Sequence, residues 1–282
     1  MKAFFRRIGA GTLLAALLAP SVGFAQVSSD QAADFVALPP VTTPSTPPLV
    51  MLAMSVDHEL FKKAYTDYSD LDQDGTLDIS YNDSFDYYGY FDSGFCYSYD
   101  LGSQKFQPLG TGDGPNGHRC DDPTKGGWSG NFLNWASMTR IDVVRRVLYG
   151  GLRSTDTSGT TVLERAELPK DIHAFSKVYT GADVHHFTPY TVSDLGGDSI
   201  SLCSLTPSAG ADPLIRVAKG AWPRWSASEV RQCQWNNTAS SPTDPGHKMT
   251  EAVARVQVCV SGQDASADRC QAYPSGNIKP FG

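Results

Sequence analysis

The sequence predicts a domain of mixed α/β class, and three segments carry that prediction. Residues 49–54 form a short, continuous apolar run, typical of a strand buried on both faces of a parallel sheet. Over residues 129–149, apolar side chains recur every three or four positions, which indicates one long amphipathic helix. Residues 255–260 alternate like a half-buried strand, with Val256, Val258 and Val260 on the inward side.

Shorter elements are expected between these segments. The sequence favours short helices over residues 58–68 and 171–179, and strands over residues 160–166 and 187–192. Residues 81–99 are rich in tyrosine and phenylalanine and are punctuated by glycine, a composition typical of short strands and turns. We expect these aromatic side chains mainly to fill the core, with a sugar- or partner-binding role as the alternative.

The first 25 residues are predicted to be a secretory signal peptide. Three basic residues precede the apolar stretch 8–18, and small residues lead to a cleavage site after Ala25. Residues 26–48 end in prolines and threonines and are predicted to form an extended linker. Because the apolar stretch is too short to span a bilayer, we expect an exported protein without a transmembrane segment.

The charge balance narrows the possible partners. The chain has 23 basic and 30 acidic residues, a formal net charge of −7, and loss of the basic leader would make it more acidic. An acidic surface disfavours binding to nucleic acid and to anionic membranes. It is compatible with divalent cations.

The cysteines predict disulfide bonds. An even number of cysteines in an exported chain favours bridges, and none is spaced as a CxxC metal ligand pair. Three bridges allow many connectivities, and the pairing of sequence neighbours is the simplest of them. It joins Cys96 to Cys120, Cys203 to Cys233 and Cys259 to Cys270.

A regular series of carboxylates predicts a calcium loop. Positions one, three, five and nine of the loop are Asp70, Asp72, Asp74 and Asp78. Gly75 at position six allows a sharp turn, and the backbone carbonyl of Thr76 follows at position seven. Ca²⁺ takes six to eight oxygen ligands, which alternate side chains of a curled loop can supply. The alternative is a solvated acidic turn.

One expected calcium ligand is missing from this loop. Position twelve, where a bidentate glutamate would complete the site, is Tyr81. Asn82, Asp83 and Asp86 are the candidates to replace it.

Several segments together resemble the N-terminal region of the PilC/PilY family, exported proteins associated with type IV pili. The longest is WSGNFLNWASMTRIDVVRRVLYGG at residues 128–151. Others are YYGYFD at 87–92, RSTDT at 153–157, TVLER at 161–165 and CQAYPSG at 270–276, together with the acidic loop at 70–78. Their number and order make the resemblance specific.

The resemblance implies a fold, a function and a location. It implies a von Willebrand factor A-like, Rossmann-like domain over residues 49–282, with an insertion over about 70–127. It also implies a non-enzymatic role in type IV pilus assembly or tip adhesion, with minor pilins or a host surface ligand as partners. The protein would act in the periplasm, at the outer-membrane surface or at the pilus tip. Family members continue into a β-propeller that this sequence lacks, so we expect a truncated copy, with a non-functional fragment as an alternative.

A-type domains hold a metal-ion-dependent adhesion site with the pattern Asp-x-Ser-x-Ser after the first strand. The corresponding positions here are Ala53, Ser55 and Asp57, of which only Ser55 matches. Because Mg²⁺ needs the leading carboxylate, we expect no working adhesion site at these positions.

No catalytic motif emerges from the sequence. His185 and His186 are adjacent, so on a strand they would point to opposite faces and not chelate a metal together. His118 and His173 have no evident catalytic partner. We therefore predict a protein that is not an enzyme, with a secreted glycan- or protein-binding module as the alternative and an exported hydrolase as a third hypothesis.

Overall fold

The computed structural model describes residues 51, 53–122, 127–168, 173–227, 232–235, 245, 248–263 and 269–281. The predicted signal peptide and linker lie outside these residues. The chain divides into two units, Met1–Met54 and Ser55–Gly282. In the first unit the structure describes Met51, Ala53 and Met54, which are exposed and belong to no strand. The prediction of a buried strand is wrong for these three residues, because none of the described strands pairs with them.

The second unit is built mainly from strands. These are β1 (Phe95–Asp100), β2 (Lys105–Thr111), β3 (Trp128–Ser129), β4 (Arg153–Thr157), β5 (Thr160–Glu164), β6 (Phe175–Thr180), β7 (Ser199–Leu205), β8 (Leu214–Lys219), β9 (Lys248–Val253), β10 (Arg255–Val258), β11 (Cys270–Ala272) and β12 (Ile278–Pro280). The helices are α1 (Gly130–Ser137), α2 (Arg140–Tyr149) and α3 (Val192–Leu195), with 3₁₀ turns at His58–Phe61 and Val184–His186.

The strands form two sheets and a small pair. One sheet has the order β3-β1-β2-β10-β5-β4, the other β6-β7-β8-β9, and β11 pairs with β12. Among the described residues, the only parallel pairing joins β10 to β2; the other pairings are antiparallel. The mixed α/β class is confirmed. The parallel central sheet of an A-type domain is not found within the described part of the chain.

The predicted long helix over 129–149 is wrong, because two helices occupy this segment. Met138 has an extended backbone (ψ 143°), and Thr139 begins α2 as its N-cap. The Thr139 side chain accepts a hydrogen bond from the Asp142 amide, and the Asp142 carboxylate accepts one from the Thr139 amide. This capping box restarts the helix. The Met138 carbonyl accepts a hydrogen bond from the Ala64 amide at 3.0 Å, which holds Met138 in this non-helical conformation between the two helices.

Three other elements differ from the prediction. The described part of 171–179 is not helical but forms β6, where Phe175, Lys177 and Tyr179 are buried in alternation against β7. Residues 187–192 form no strand and end in the first residue of α3. In 58–68, only one 3₁₀ turn forms. The strands predicted at 160–166 and 255–260 are confirmed as β5 and β10.

The core surrounds α1, whose eight residues are all buried. Aromatic rings of the 81–99 segment pack against it, with the Tyr81 and Phe132 ring centroids 5.1 Å apart. The two ring centroids of Phe132 and Trp135, both on α1, are separated by 5.3 Å. Most of the predicted aromatic segment therefore fills the core, although Tyr88 remains 45% exposed.

Three disulfide bonds cross-link the second unit. Cys96 is bonded to Cys120, Cys203 to Cys233 and Cys259 to Cys270, with Cα–Cα distances of 5.7, 5.7 and 5.8 Å. The predicted pairing of sequence neighbours is confirmed. None of the described helices is both long enough and apolar enough to cross a membrane.

Candidate functional site

The acidic loop brings three of its predicted ligands together. Carboxylate oxygens of Asp70, Asp72 and Asp78 lie within 4.8 Å of one another. Within the described ranges, this is the only group of three or more His, Cys, Asp or Glu side chains arranged so closely. Such convergence of carboxylates is unfavourable unless a cation or hydrogen-bond donors balance their charge.

The backbone of the loop is curled around Asp70. Its carboxylate accepts hydrogen bonds from the amides of Asp74 at 3.1 Å and Gly75 at 3.0 Å. Gly75 has φ +89°, in the left-handed region that glycine occupies without strain. The Asp78 amide donates to the Ser69 carbonyl at 3.0 Å, which closes the loop at its base.

Asp74 is not one of the three converging carboxylates. The Asp74 carboxylate accepts the Thr76 amide at 2.7 Å, so it stabilises the turn. Both residues are exposed. A role for Asp74 as a direct ligand would require its second oxygen.

Two residues that follow the loop fold back over the carboxylates. The Asn82 side-chain amide donates to Asp72 and to Asp78, both at 2.7 Å. The Ser84 hydroxyl donates to the same Asp72 oxygen at 2.9 Å. Hydrogen bonds from Asn82 and then Ser84 hold the pKa of Asp72 below its usual range. A half turn of the Asn82 amide would present its oxygen, a calcium ligand, to the same position.

Of the three candidates for the missing ligand, only Asn82 faces the loop. Tyr81 at position twelve is buried in the aromatic core. Asp83 and Asp86 instead contact His118, whose imidazole is 2.7 Å from an Asp86 oxygen and 2.8 Å from the Asp83 carbonyl. Asn82 was among the predicted candidates, whereas the roles of Ser84 and His118 were not predicted. The polar residues at alternate positions 82 and 84 were the sequence signal that could have indicated the contribution of Ser84.

His118 is a buried cation that fixes the segment after the loop. Burial alone would lower its pKa, but hydrogen bonds to Asp83 and Asp86 raise the pKa of His118 to about 9. At neutral pH the imidazole is therefore charged. Burial likewise works against the charged form of Asp83, yet His118 and Arg119 hold the pKa of Asp83 below its usual range.

The positions of the degenerate adhesion site are exposed and serve a local structural role. The Ser55 hydroxyl lies 3.4 Å from an Asp57 oxygen, and Asp57 caps the 3₁₀ turn by accepting the Glu59 amide at 3.1 Å. Ala53 is also exposed and supplies no ligand. Neither Ser55 nor Asp57 belongs to the close carboxylate group.

The remaining histidines have local contacts. His185 and His186 lie on a 3₁₀ turn with ring centroids 4.1 Å apart, so the prediction that they point to opposite faces of a strand is wrong. The His186 imidazole forms a hydrogen bond with the Asp121 carboxylate. The ring of His173 contacts the His58 carbonyl at 3.1 Å.

A mixed α/β domain cross-linked by three disulfides is typical of proteins that mature outside the reducing cytosol. Residues 78–219 match the sequence model of a family described as "PilY1 homolog, small alpha/beta domain". Two curated relatives from Xylella fastidiosa, each named "Type IV pilus biogenesis factor PilY1 homolog", are 30% identical over 82% of this chain and 32% identical over 70% of it. The chain belongs to the PilY1 family of type IV pilus-associated proteins.

The likeness to these relatives covers only part of them. The chain spans 16% of the length of each. No solved structure matches the chain significantly.

Proposed function

We propose that this chain is an exported, calcium-binding, non-enzymatic part of a factor for type IV pilus assembly and tip adhesion. The observation that carries the proposal is the convergence of Asp70, Asp72 and Asp78 within a curled loop. Membership of the PilY1 family supports the connection with pili. The location would be the periplasm, the outer-membrane surface or the pilus tip, reached through the predicted signal peptide.

Calcium would be held by the three convergent carboxylates, the Thr76 carbonyl and the Asn82 amide oxygen. Oxygen ligands of this kind suit a hard cation. Bound calcium would replace the hydrogen bonds that Asn82 and Ser84 now make to Asp72. Because no glutamate stands at position twelve, we expect an affinity in the ~0.1–1 mM range of extracellular modules.

Calcium would stabilise the fold rather than act in catalysis. The ion would bind the folded loop and not the unfolded chain, which raises the free energy of unfolding by mass action. The loop precedes the aromatic segment that packs on α1. Ordering of the loop by calcium would therefore also stabilise the packing of this segment in the core. The degenerate positions Ser55 and Asp57 would take no part in metal-dependent adhesion.

The partners would be minor pilins or a ligand on a host surface. An A-type, Rossmann-like arrangement belongs to the same proposal. A secreted binding module unrelated to pili is the second candidate, favoured by the exposed ring of Tyr88.

Complementation tests the proposal in cells. A strain that lacks the gene would receive the unaltered gene, the Asp72→Asn/Asp78→Asn variant, or the control Asp198→Asn, which removes an exposed carboxylate outside the loop. We expect the loop variant to reduce the number of surface pili and the control to restore them. Normal pili with the loop variant would contradict a role for calcium. Normal pili without the gene would contradict the role in assembly.

A further inference from the structure

We propose that a cleft beside Tyr88 binds one pyranose ring of a saccharide. The cleft has a volume of about 270 Å³, enough for a single sugar ring, and is open to solvent. Its lining includes Asp86, Tyr87, Tyr88, Phe91 and Ser93 of the aromatic segment and Arg146 of α2. The proposal rests on the second candidate function, a secreted binding module, and names a ligand class for it. Because it requires neither a pilus nor calcium, its failure would leave the calcium proposal untouched.

The cleft has a rigid apolar floor and one exposed aromatic wall. Tyr87 and Phe91 are almost fully buried, whereas Tyr88 is 45% exposed. An aromatic ring with one free face offers a flat surface on which the apolar face of a sugar ring can stack. Such a surface loses little conformational entropy on binding, because the ring has few rotatable bonds.

The backbone, and not the side chain, anchors Tyr88 in the fold. Its amide donates to the Tyr65 hydroxyl at 2.7 Å, and that hydroxyl donates to the Tyr88 carbonyl at 2.8 Å. The Tyr88 ring is therefore dispensable for these contacts. A truncation of the side chain can separate ligand binding from folding.

The polar groups of the cleft suit a neutral ligand with many hydroxyls. The Asp86 side chain is 81% exposed, and its position is fixed by the 2.7 Å contact with His118. The Arg146 guanidinium lies 6.0 Å from the Tyr88 ring centroid. Asp92, the other carboxylate of the lining, is paired with Arg269, so Asp86 and Arg146 are the opposite charges that a ligand without net charge would meet. A sugar hydroxyl can donate to the carboxylate and accept from the guanidinium.

Arg146 also has hydrogen-bonding capacity to spare. Its Nε is buried and has no hydrogen-bond partner within the described part of the chain. The Ser93 hydroxyl, 3.4 Å from an Asp86 oxygen, adds a group that can both donate and accept.

Ligand-observed NMR on the exported, oxidised full chain tests the proposal. The probes are the methyl glycosides of glucose, galactose, mannose and N-acetylglucosamine, each at millimolar concentration, with the dipeptide Lys-Asp as a charged comparison. We expect saturation transfer to at least one glycoside. We also expect Tyr88→Ala to weaken its binding about tenfold, the value of one aromatic stacking contact.

Two variants make the result decisive. Tyr88→Phe keeps the ring and should bind almost as well as the unaltered chain. Tyr68→Ala removes a tyrosine that is 77% exposed outside the cleft and should leave binding unchanged. The proposal is overturned if no glycoside binds, if Tyr88→Ala and Tyr68→Ala behave alike, or if the dipeptide binds the cleft and the glycosides do not. The melting temperature of each variant verifies that it is folded.

Discussion

Replacement of Lys177 by methionine should destabilise the domain, because this buried ammonium joins the second sheet to the segment before the acidic loop. The Lys177 side chain is 0% exposed, and its Nζ lies 2.6 and 2.7 Å from the two Asp67 oxygens. It also donates to the Tyr65 carbonyl at 2.6 Å and lies 4.7 Å from the Trp135 ring centroid. Removal of one partner leaves the other charge poorly compensated.

The structure bounds the magnitude of this effect. Breaking a buried ion pair from one side costs about 3–5 kcal/mol. Asp67 retains a 2.8 Å hydrogen bond from Trp135 Nε1, and the half-exposed Lys63 ammonium is 3.7 Å away. Because Asp67 keeps these partners, we expect Lys177→Met to lower the free energy of unfolding by about 3 kcal/mol, the lower end of that range.

A double-mutant cycle isolates the interaction. Asp67 has φ +63°, a conformation that asparagine tolerates, so Asp67→Asn removes the charge without backbone strain. Denaturant unfolding of the oxidised chain measures the loss in unfolding free energy for each single variant and for the double variant. The loss in the double variant should be smaller than the sum of the two single losses by about 1.5 kcal/mol or more. Single losses below about 1 kcal/mol that simply add would refute this interpretation of the pair.

The pH dependence provides a second signature of the same residue. Burial lowers the pKa of Lys177 to about 8 from an ordinary value of 10.5, while Asp67 opposes that shift. Between these values the folded chain binds fewer protons at Lys177 than the unfolded chain. The contribution of Lys177 to stability therefore increases as the pH rises through this interval, and Lys177→Met should lack this increase.

Three further predictions concern His118, the cysteines and the degenerate adhesion positions. The pKa of His118 is about 9 in the folded chain, against an ordinary value of 6.5. The stabilisation from its pairing with Asp83 and Asp86 should therefore be complete below pH 6.5 and be lost as the pH rises through 9. An imidazole that titrates near 6.5 by NMR would refute this prediction. Thiol titration of the denatured, unreduced exported chain should find almost no free thiol, whereas two or more per chain would contradict the three bridges. The double change Ser55→Ala/Asp57→Ala should lower the free energy of unfolding by about 1 kcal/mol, because the cap of the 3₁₀ turn is lost, and should leave metal-dependent binding intact. Loss of that binding without loss of calcium stabilisation would show an active adhesion site.

Local sequence patterns predicted the parts of the fold that depend on neighbouring residues. The strands β10 and β5 were predicted from the sequence. The pairing of neighbouring cysteines was the simplest of many possible connectivities, and the structure contains it. The break between α1 and α2 had a signal as well, since Thr139 and Asp142 form a recognisable capping box. The strand β6 was missed because Lys177, a charged residue, occupies an inward position. Its burial is tolerable because of partners that are distant in the sequence, Asp67 and the Tyr65 carbonyl.

The candidate calcium site was predictable as a loop but not as a complete arrangement. The spacing of Asp70, Asp72 and Asp78 with Gly75 indicated the curl that the structure contains. The contribution of Asn82 and Ser84 depends on the chain folding back after Asp78, which spacing alone does not determine. His118 reaches Asp83 and Asp86 from a distant loop, a contact set by tertiary packing.

Calorimetric titration of the oxidised, exported chain with Ca²⁺ tests the calcium site most directly. We expect one site with a dissociation constant of ~0.1–1 mM, and stabilisation by up to about 2.7 kcal/mol when calcium exceeds that constant a hundredfold. Asp72→Asn/Asp78→Asn should abolish the heat of binding, and Asp198→Asn should retain it. An unaltered chain that gives no heat of binding and no calcium-dependent stabilisation, or a double variant that binds as tightly as the unaltered chain, would contradict calcium binding by this loop.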